Sequence, residues 1–520
     1  MTLGRLLVSL NQAMPRDAAR LLGDTSALSR QVKTVSYDSR KAGAGSLFVA
    51  LRGQRFDGAT FAAQALARGA MAVIAEVEPP PGVPVPWIVV SDARRALAIV
   101  ADAFYAHPSG EIRVVGITGT NGKTTTAYLV GAAFEAAGIP AGILGTIAYR
   151  IGREEREASR TTPEAPDVQQ FLREMVDEGC RACAMEVSSH ALVLRRVDGT
   201  EFAAAVFTNL TRDHLDFHHD MESYFAAKRR LFEMLPPGAP AVLNADDPRS
   251  ASLTGLVGRS VTYAIDRPAD VRPRALSFSL SGLLLDIETP RGPIRIESRR
   301  VGRPNAYNLL AAAATGVALD LPGEAVGRGL ASVTHVPGRF QVVSGREDDI
   351  TVVVDYAHTD DALKNLLETS RPLATYRLIT VFGCGGDRDR TKRPLMGAVA
   401  ARLSDVVVIT SDNPRSEDPA GIIEEIKRGI VQPADRARAT EPPRNGQRQS
   451  GPATPTCLSI VDRRGAIEKA ISMAGAGDVV LIAGKGHERY QVIGDRVLPF
   501  DDCEVAGEAL ARRRAEQGRS

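Results

Sequence analysis

Short apolar runs recur along the chain, spaced so that a helix fits between most neighbours. Residues 1–109 mix SLFVAL, MAVIAEV and PWIVVSD with Ala-rich helical stretches, and EPPPGVPVP (Glu78 to Pro86) reads as a stiff surface loop. From Glu111 the text becomes IRVVGITGTNGKTTTAYLVGAAFEAAG, which predicts a strand, a glycine loop and a helix. Strand signals return at RACAMEVSS, AAAVFTNL and APAVLNADD. Between Ser277 and Glu297 the pattern alternates apolar and polar, with a turn at Thr289–Gly292, so a small β-rich excursion is expected before a long helix from Ala306. After HVPGRFQVV the strands ITVVVDYAH, YRLITVFGCGG, SDVVVITSDNP and GDVVLIAGKGHE alternate with helical stretches. Near-continuous apolar strands joined by helices predict an α/β protein with mostly parallel sheets. Gln432 to Thr456 is rich in Pro, Arg, Gln and Gly, with few large apolar residues, and reads as a flexible insertion.

A chain of 520 residues exceeds one hydrophobic core and implies two to four domains. Hydrophobic (44%) and charged (24%) fractions are those of a soluble globular protein. Lys+Arg at 64 against Asp+Glu at 62 leaves a formal charge of +2, without the basic excess of a nucleic-acid binder. Arg512, Arg513 and Arg514 read as a solvated helix end. The cysteines number five and lack framework spacing, which fits a reducing, cytoplasmic setting. Cys180 and Cys183 form a C-x-x-C without a second pair, so zinc is not expected. The N-terminus lacks an apolar stretch of signal-peptide type. No apolar run reaches the roughly 18–20 residues of a membrane-spanning helix.

Candidate chemistry begins at GITGTNGKTTT, Gly116 to Thr126. Glycines between a strand and a helix let backbone N–H groups approach phosphate, and the helix N-terminus favours anions. Lys123 would neutralise β/γ-phosphates, and the Thr124 hydroxyl would face Mg²⁺. The spacing is not that of the standard P-loop, because five residues separate Gly116 from Gly122. A plain glycine turn is the bland alternative. Mg²⁺ needs further hard oxygens. Glu186 closes the run ACAME at a strand's carboxyl end, where it is either a ligand near the nucleotide crevice or a capping, salt-bridged side chain. His214, amid Asp213, Asp216, His218 and His219, is either structural or a ligand to a second metal or phosphate. At the exit of VVVITS stand Asp412, Asn413, Pro414 and Arg415. Alone, this DNPR reads first as a surface turn before a helix, and a grip on a ligand is the alternative.

Taken in order, GITGTNGKTTT, TTPE, MEVSSHAL, NLTRDHLDFH, YFAAKRRLF, GRPNAYN, VPGRFQ, DYAHT, FGCGGDRDRTKRP, DNPR and GKGHE resemble the Mur ligases, the ATP-dependent amide-forming enzymes of peptidoglycan assembly. The resemblance spans nearly the whole chain, interrupted chiefly by the 432–456 insertion. It implies three domains: a small α/β domain for the UDP end of the substrate (1–109), a central P-loop-type ATPase domain (110–338) and a C-terminal Rossmann-like domain (339–520). By match to the family, Tyr37, Ser39, Gln54, Arg55 and Phe56 would lie near UDP. Thr161, Thr162, Ser188 and Arg196 would meet the muramoyl-peptide. Gly119, Thr120, Asn121, Gly122, Lys123, Thr124, Thr125, Asn305, Arg339 and Asp355 would hold ATP. Lys228 occupies the position of the family lysine that CO₂ carbamylates, which turns a cation into an oxygen anion. Thr124, Glu186, His214 and carbamylated Lys228 would serve Mg²⁺, and Lys123, Glu186, His214 and Lys228 would be the catalytic set.

The implied reaction phosphorylates the D-glutamyl γ-carboxylate of UDP-N-acetylmuramoyl-L-alanyl-D-glutamate and transfers the acyl group to an amine. Loop and C-terminal domain must meet for this, so closure is expected. Arg415 is the mark of family members that add meso-diaminopimelate, since a buried arginine rewards that acceptor's distal carboxylate and is left unpaired by lysine. Asp412, Asn413, Pro414, Arg388, Gly484 and Glu488 would complete the pocket. A cytoplasmic monomer with small-molecule substrates, no nucleic acid and no membrane span is expected. Rival readings are a lysine-adding relative, a folylpoly-γ-glutamate synthetase and a non-catalytic nucleotide sensor. Leu194, Asp360 and Arg160 depart from the family pattern.

Overall fold

The computed structural model describes all residues except 16, 54, 55, 84, 280, 281, 431–454 and 518–520. Gln54, Arg55 and all but the last two residues of the expected insertion lie outside the described residues. Thr456, at its far end, already begins the strand Thr456–Ser459. This strand pairs in parallel with Val406–Ile409, so the sheet reclaims the chain there.

Three larger sheets follow one another along the chain. The first has five strands, with Ala70–Ala75 at its centre between Ser46–Val49 and Trp87–Val89. The second has eight strands, six of them parallel. Its strand Arg113–Thr118 lies between Ala182–Glu186 and Ala204–Phe207. Chain order reverses around Arg113–Thr118, and the carboxyl ends of these strands open into one crevice. That is where ligands bind in open α/β sheets. The third has six strands in the order Gln341–Val342, Thr351–Asp355, Val479–Ala483, Leu378–Phe382, Val406–Ile409 and Thr456–Ser459. All its neighbours are parallel except the first pair.

The apolar runs form strands because both sheet faces are covered. Val115 and Ile117 pack under the helices Lys123–Ala136 and Arg303–Ala318, while Val114, Met185 and Phe207 pack on the opposite face. The small side chains of Ala311 to Ala314 let the second helix lie buried from Asn308 to Ala318. It starts at Arg303, three residues before the predicted Ala306. The expected β excursion is a three-stranded antiparallel sheet, Arg272–Ser279, Gly282–Glu288 and Ile294–Ser298, with the turn closed by Gly292 N donating to Thr289 O.

Of the three C-terminal arginines Arg512 is exposed, as expected of a solvated end, but the other two are tied down. Arg513 pairs with Asp349 at 2.8 Å and Arg514 with Asp348 at 2.8 Å, tying helix Asp502–Gln517 to the loop before Thr351. Deeper in, Arg463 and Asp502 form a fully buried bidentate pair at 2.8 and 2.7 Å. The same guanidinium donates to Ala483 O at 3.1 Å, at the end of a central strand. Removing one partner strands the other's charge. Asp502→Ala is therefore expected to cost about 3–5 kcal/mol, read as a lower urea midpoint. Arg464→Ala, which breaks an exposed pair with Glu508, should cost under ~1 kcal/mol.

Candidate active site

The strand Arg113–Thr118 delivers the chain into a loop that only glycine can make. Gly119 has φ +144, and a Cβ there would lie 1.9 Å from Thr208 Oγ1. Gly122 has φ +86, and a Cβ there would lie 2.4 Å from Asn308 Oδ1. The loop is sewn to the end of Ala204–Phe207: Asn121 N donates to Asn209 Oδ1 at 2.9 Å, and Thr208 Oγ1 donates to Asn121 O at 2.6 Å. Thr208 and Asn209 were not among the predicted residues; their signal was a polar pair directly after a buried strand. Lys123 opens the helix and curls back, donating to Gly119 O at 3.1 Å and Thr120 O at 2.8 Å. Enclosure lowers its pKa, opposed by Glu186 and Asp213.

Glu186, 1% exposed, accepts from Thr124 Oγ1 at 3.0 Å, Thr146 N at 2.8 Å and Thr146 Oγ1 at 3.1 Å. Among the described residues it caps no helix and forms no ion pair, so its oxygens face the threonine hydroxyls and one backbone N–H. Thr146 is a third residue that sequence reasoning missed. His214 takes a left-handed backbone, φ +53. Its Nε2 lies 3.3 Å from Asp213 Oδ2, and its ring meets His190 edge-on at 4.8 Å. Burial pulls the imidazole toward its neutral form, with Asp213 opposing.

Lys228, on helix Met221–Glu233, is 1% exposed. Its Nζ donates to Gly119 O at 2.7 Å and sits 4.3 Å from the Tyr224 ring centroid. Among the described residues it has no carboxylate partner. Burial first, then the neighbouring charge of Lys123, holds its pKa well below the ordinary lysine value.

These donors suit Mg²⁺. A hydroxyl and a carboxylate share one 3.0 Å contact, and Mg²⁺ typically takes one or two carboxylates and completes its shell with water and phosphate oxygens. Among the described residues no group of three or more His, Cys, Asp and Glu side chains forms a cage.

The third sheet closes over this loop. Arg339 Nη2 donates to Thr124 Oγ1 at 3.1 Å, and its guanidinium lies 4.5 Å over the Tyr356 ring. Asp355 accepts from Phe340 N at 2.7 Å and Ala357 N at 2.8 Å; burial raises its pKa and Arg339 opposes. Asn121 Nδ2 reaches Asp361 Oδ2 at 3.0 Å. Between them lies a cavity of about 410 Å³ lined by Thr120 to Thr125, Glu186, His214, Asn305, Arg339 and Asp355. Asn305 is fixed there by Nδ2 donating to Val301 O at 2.8 Å.

A larger cavity, about 1320 Å³, adjoins it and shares Thr146, Thr161, His214, Tyr356 and His358. Arg388, Asp412, Asn413, Arg415, Gly484 and Glu488 line it. Pro414 does not; it shapes the turn, and a Cβ on Gly386 would lie 1.8 Å from its carbonyl oxygen. Arg415 takes φ +51, unusual for a side-chain-bearing residue. Two backbone bonds to a hairpin hold it there: Arg415 N to Val492 O at 3.1 Å and Gly494 N to Arg415 O at 2.7 Å. Its guanidinium donates to Gly386 O at 2.8 Å and Asn413 O at 3.4 Å, and among the described residues it pairs with no carboxylate. Arg393, fully buried, bonds Glu417, Glu425 and Gly385 O and so braces the loop opposite.

Family comparison decides what this pair of cavities belongs to. Residues 31–105 match the Mur ligase family catalytic domain, 117–316 the Mur ligase middle domain and 338–486 the Mur ligase glutamate ligase domain. The chain belongs to the Mur ligase family. It is thus an ATP-dependent ligase that forms amide bonds in peptidoglycan precursor synthesis. It is 48% identical over 506 residues to UDP-N-acetylmuramoyl-L-alanyl-D-glutamate–2,6-diaminopimelate ligase of Geobacter metallireducens, covering 95% of this chain and 98% of that one. It is also 48% identical to the ligase of the same name from Solibacter usitatus, covering 98% of each. A solved structure of a ligase of that name superposes with TM-score 0.66 at 33% identity, covering 99% of this chain and 100% of that one.

The remaining predicted residues of this Mur ligase sit around the first sheet and its junction with the second. Tyr37 OH donates to Asp167 Oδ2 at 2.9 Å, and Ser39 Oγ to Gln64 Oε1 at 2.7 Å. Phe56 is 70% exposed. Thr161 lines both cavities and Ser188 the smaller one. Thr162 lies beneath, its Oγ1 donating to Glu186 O at 2.8 Å and accepting from Ser188 N at 3.1 Å. Arg196 is buried against Glu164 at 2.8 Å, so in this state its charge is matched within the chain and not free for a substrate carboxylate. Among the described residues no helix is long and apolar enough to cross a membrane.

Proposed function

We propose that this Mur ligase joins meso-diaminopimelate to the D-glutamyl γ-carboxylate of UDP-N-acetylmuramoyl-L-alanyl-D-glutamate, with ATP hydrolysed to ADP and phosphate. The observation that carries the acceptor's identity is Arg415, a guanidinium at a cavity wall whose hydrogen bonds among the described residues go to carbonyl oxygens and not to a carboxylate. A distal carboxylate is the ligand group that such a cation lacks. The relatives named above, which bear the diaminopimelate name, support the same reading.

In this reading the loop N–H groups and Lys123 hold the triphosphate in the smaller cavity, and Arg339 and Asp355 bring the third sheet against it. Lys123 releases its two loop carbonyls to meet phosphate oxygens. The γ-carboxylate attacks the γ-phosphorus, ADP leaves and an acyl phosphate remains. The acceptor's neutral amine attacks the acyl carbon, and the tetrahedral adduct expels phosphate. Asp412 and Asn413 meet the acceptor's ammonium and carboxylate ends, and Arg415 and Arg388 its carboxylates, while Gly484 at φ +118 keeps the wall open. Mg²⁺, held by Thr124 and Glu186 with His214 nearby, would supply positive charge to crowded phosphate oxygens.

Lys228 is carbamylated in this reading. Carbamate formation needs a neutral amine: its lone pair bonds to the carbon of CO₂, one C–O π pair moves onto oxygen, and the nitrogen gives up a proton. Burial and Lys123 favour that neutral form. Domain limits at 109/110 and 338/339, a monomeric state and a cytoplasmic location belong to the same reading.

Phosphate release with UDP-muramoyl-dipeptide tests the assignment. Diaminopimelate is expected to exceed lysine by about 100-fold or more in kcat/KM, as loss of a charged hydrogen-bond partner implies. Parity with lysine, or turnover with glutamate as acceptor, would overturn it.

A further inference from the structure

Lys485 takes no part in the steps above, yet it is fully buried beside the acceptor cavity. A buried ammonium is costly unless its protons are placed. Here Nζ lies 3.0 Å from Asn413 Oδ1, 3.2 Å from Glu488 Oε2 and 3.4 Å from Asp412 Oδ1. Three acceptors use up its three protons. Asp412, Asn413 and Glu488 line the cavity, whereas Lys485 does not. It lies behind the residues that face the ligand.

The contacts have two effects. Asn413 Oδ1 accepts from both Lys485 and Val492 N (2.9 Å), which turns its Nδ2 toward Glu488 Oε2 at 2.8 Å. The amide orientation is thereby set by a cation behind it and a strand beside it. The second effect is on charge. Two carboxylates within reach of one another repel, and burial already raises Glu488 toward protonation while Lys485 lowers it.

We propose that Lys485 is the positioning residue of the acceptor pocket: it fixes the Asn413 amide and lets Asp412 and Glu488 share the pocket as carboxylates. With Lys485 the trio carries one net negative charge beside the Arg415 guanidinium. That pairing complements the ammonium and carboxylate of a single amino-acid centre. The inference rests on the reading that this cavity holds the acceptor amino acid.

The full-length Lys485→Met and Lys485→Arg variants test it by phosphate release, with ATP and acceptor varied separately. Lys485→Met is expected to raise the acceptor KM by about 30-fold or more, with the ATP KM within roughly twofold. The groups facing Glu488 are Lys485, Asp412, Asn413, Arg463, Tyr356 and Tyr490. Deleting the one among them that both bonds it and carries positive charge raises its pKa, so the acid limb of log kcat/KM for the acceptor should move to higher pH. Lys485→Arg keeps the charge and should restore that limb while the acceptor KM stays raised. Equal rises in both KM values with an unmoved limb would overturn the proposal. If Lys485→Met melts before assay, Lys485→Arg decides alone: a selective acceptor KM effect supports the role, and equal effects refute it. Should wild type prefer another amino acid, the acceptor assignment fails, while the same KM split with that amino acid still judges Lys485.

Discussion

Arg415→Ala raises the KM for diaminopimelate by roughly 150-fold and leaves the KM for ATP within about twofold. Truncating one partner of a desolvated charge pair typically costs about 2–5 kcal/mol, and ~3 kcal/mol corresponds to the stated factor. The selectivity follows from geometry, since Arg415 lines the larger cavity and not the smaller one. The same variant should narrow the preference over lysine, which never had a distal carboxylate to lose. Arg415→Gly sharpens the test. At φ +51 any side chain is strained, at a cost of about 1–2 kcal/mol that glycine removes. Arg415→Gly should therefore melt no lower than wild type while its diaminopimelate KM rises as in Arg415→Ala. Parallel increases in both KM values would show that the guanidinium braces Gly386 and Asn413 and does not meet the acceptor.

Much of this scaffold could be read from local pattern. Val406 to Ile409 are apolar without alternation, and all are buried because helices cover both faces of a parallel sheet. The phosphate loop was legible because its requirement is steric: a strand, glycines at positions that exclude Cβ atoms, then a lysine and hydroxyls at a helix start. The DNPR segment was legible as a turn but not in its geometry, since nothing local foretells a left-handed arginine held by a hairpin some 80 residues later.

What escaped was pairing across the chain. Lys485 sits in a glycine-rich stretch that suggests a flexible, solvated lysine, and two of its three partners lie 72 and 73 residues away. Thr146 and Asn209 are ordinary polar residues in loops, significant only because the folded sheet aligns them with Glu186 and Asn121. Arg196 shows the converse: its type suggested a substrate carboxylate, and Glu164 of the TTPE segment supplies one from within. Charge type reads from sequence; which charges are already matched does not.

Lys228→Ala is expected to lower kcat by about a thousandfold or more, the scale on which preorganised electrostatic groups act. Fold stability should change little by comparison, because Gly119 O, which accepts from the deleted amine, also accepts from Lys123 Nζ. Two chemical readings of Lys228 then separate cleanly. As an ammonium it would support the loop carbonyl, and methylammonium should restore the Lys228→Ala variant. As a carbamate it supplies an oxygen anion, so formate or acetate should restore that variant and methylammonium should not. Wild type adds an independent check. Its activity should fall in buffers stripped of CO₂ and return with bicarbonate, more fully at higher pH, because only the neutral amine reacts and the neutral fraction grows as pH rises. Lys228→Ala should ignore bicarbonate at concentrations that restore wild type. Since burial and Lys123 lower the Lys228 pKa, recovery should already be substantial near neutrality, where an exposed lysine would remain almost wholly protonated. Rescue by the amine, or indifference of wild type to CO₂, would assign Lys228 to the loop carbonyl alone.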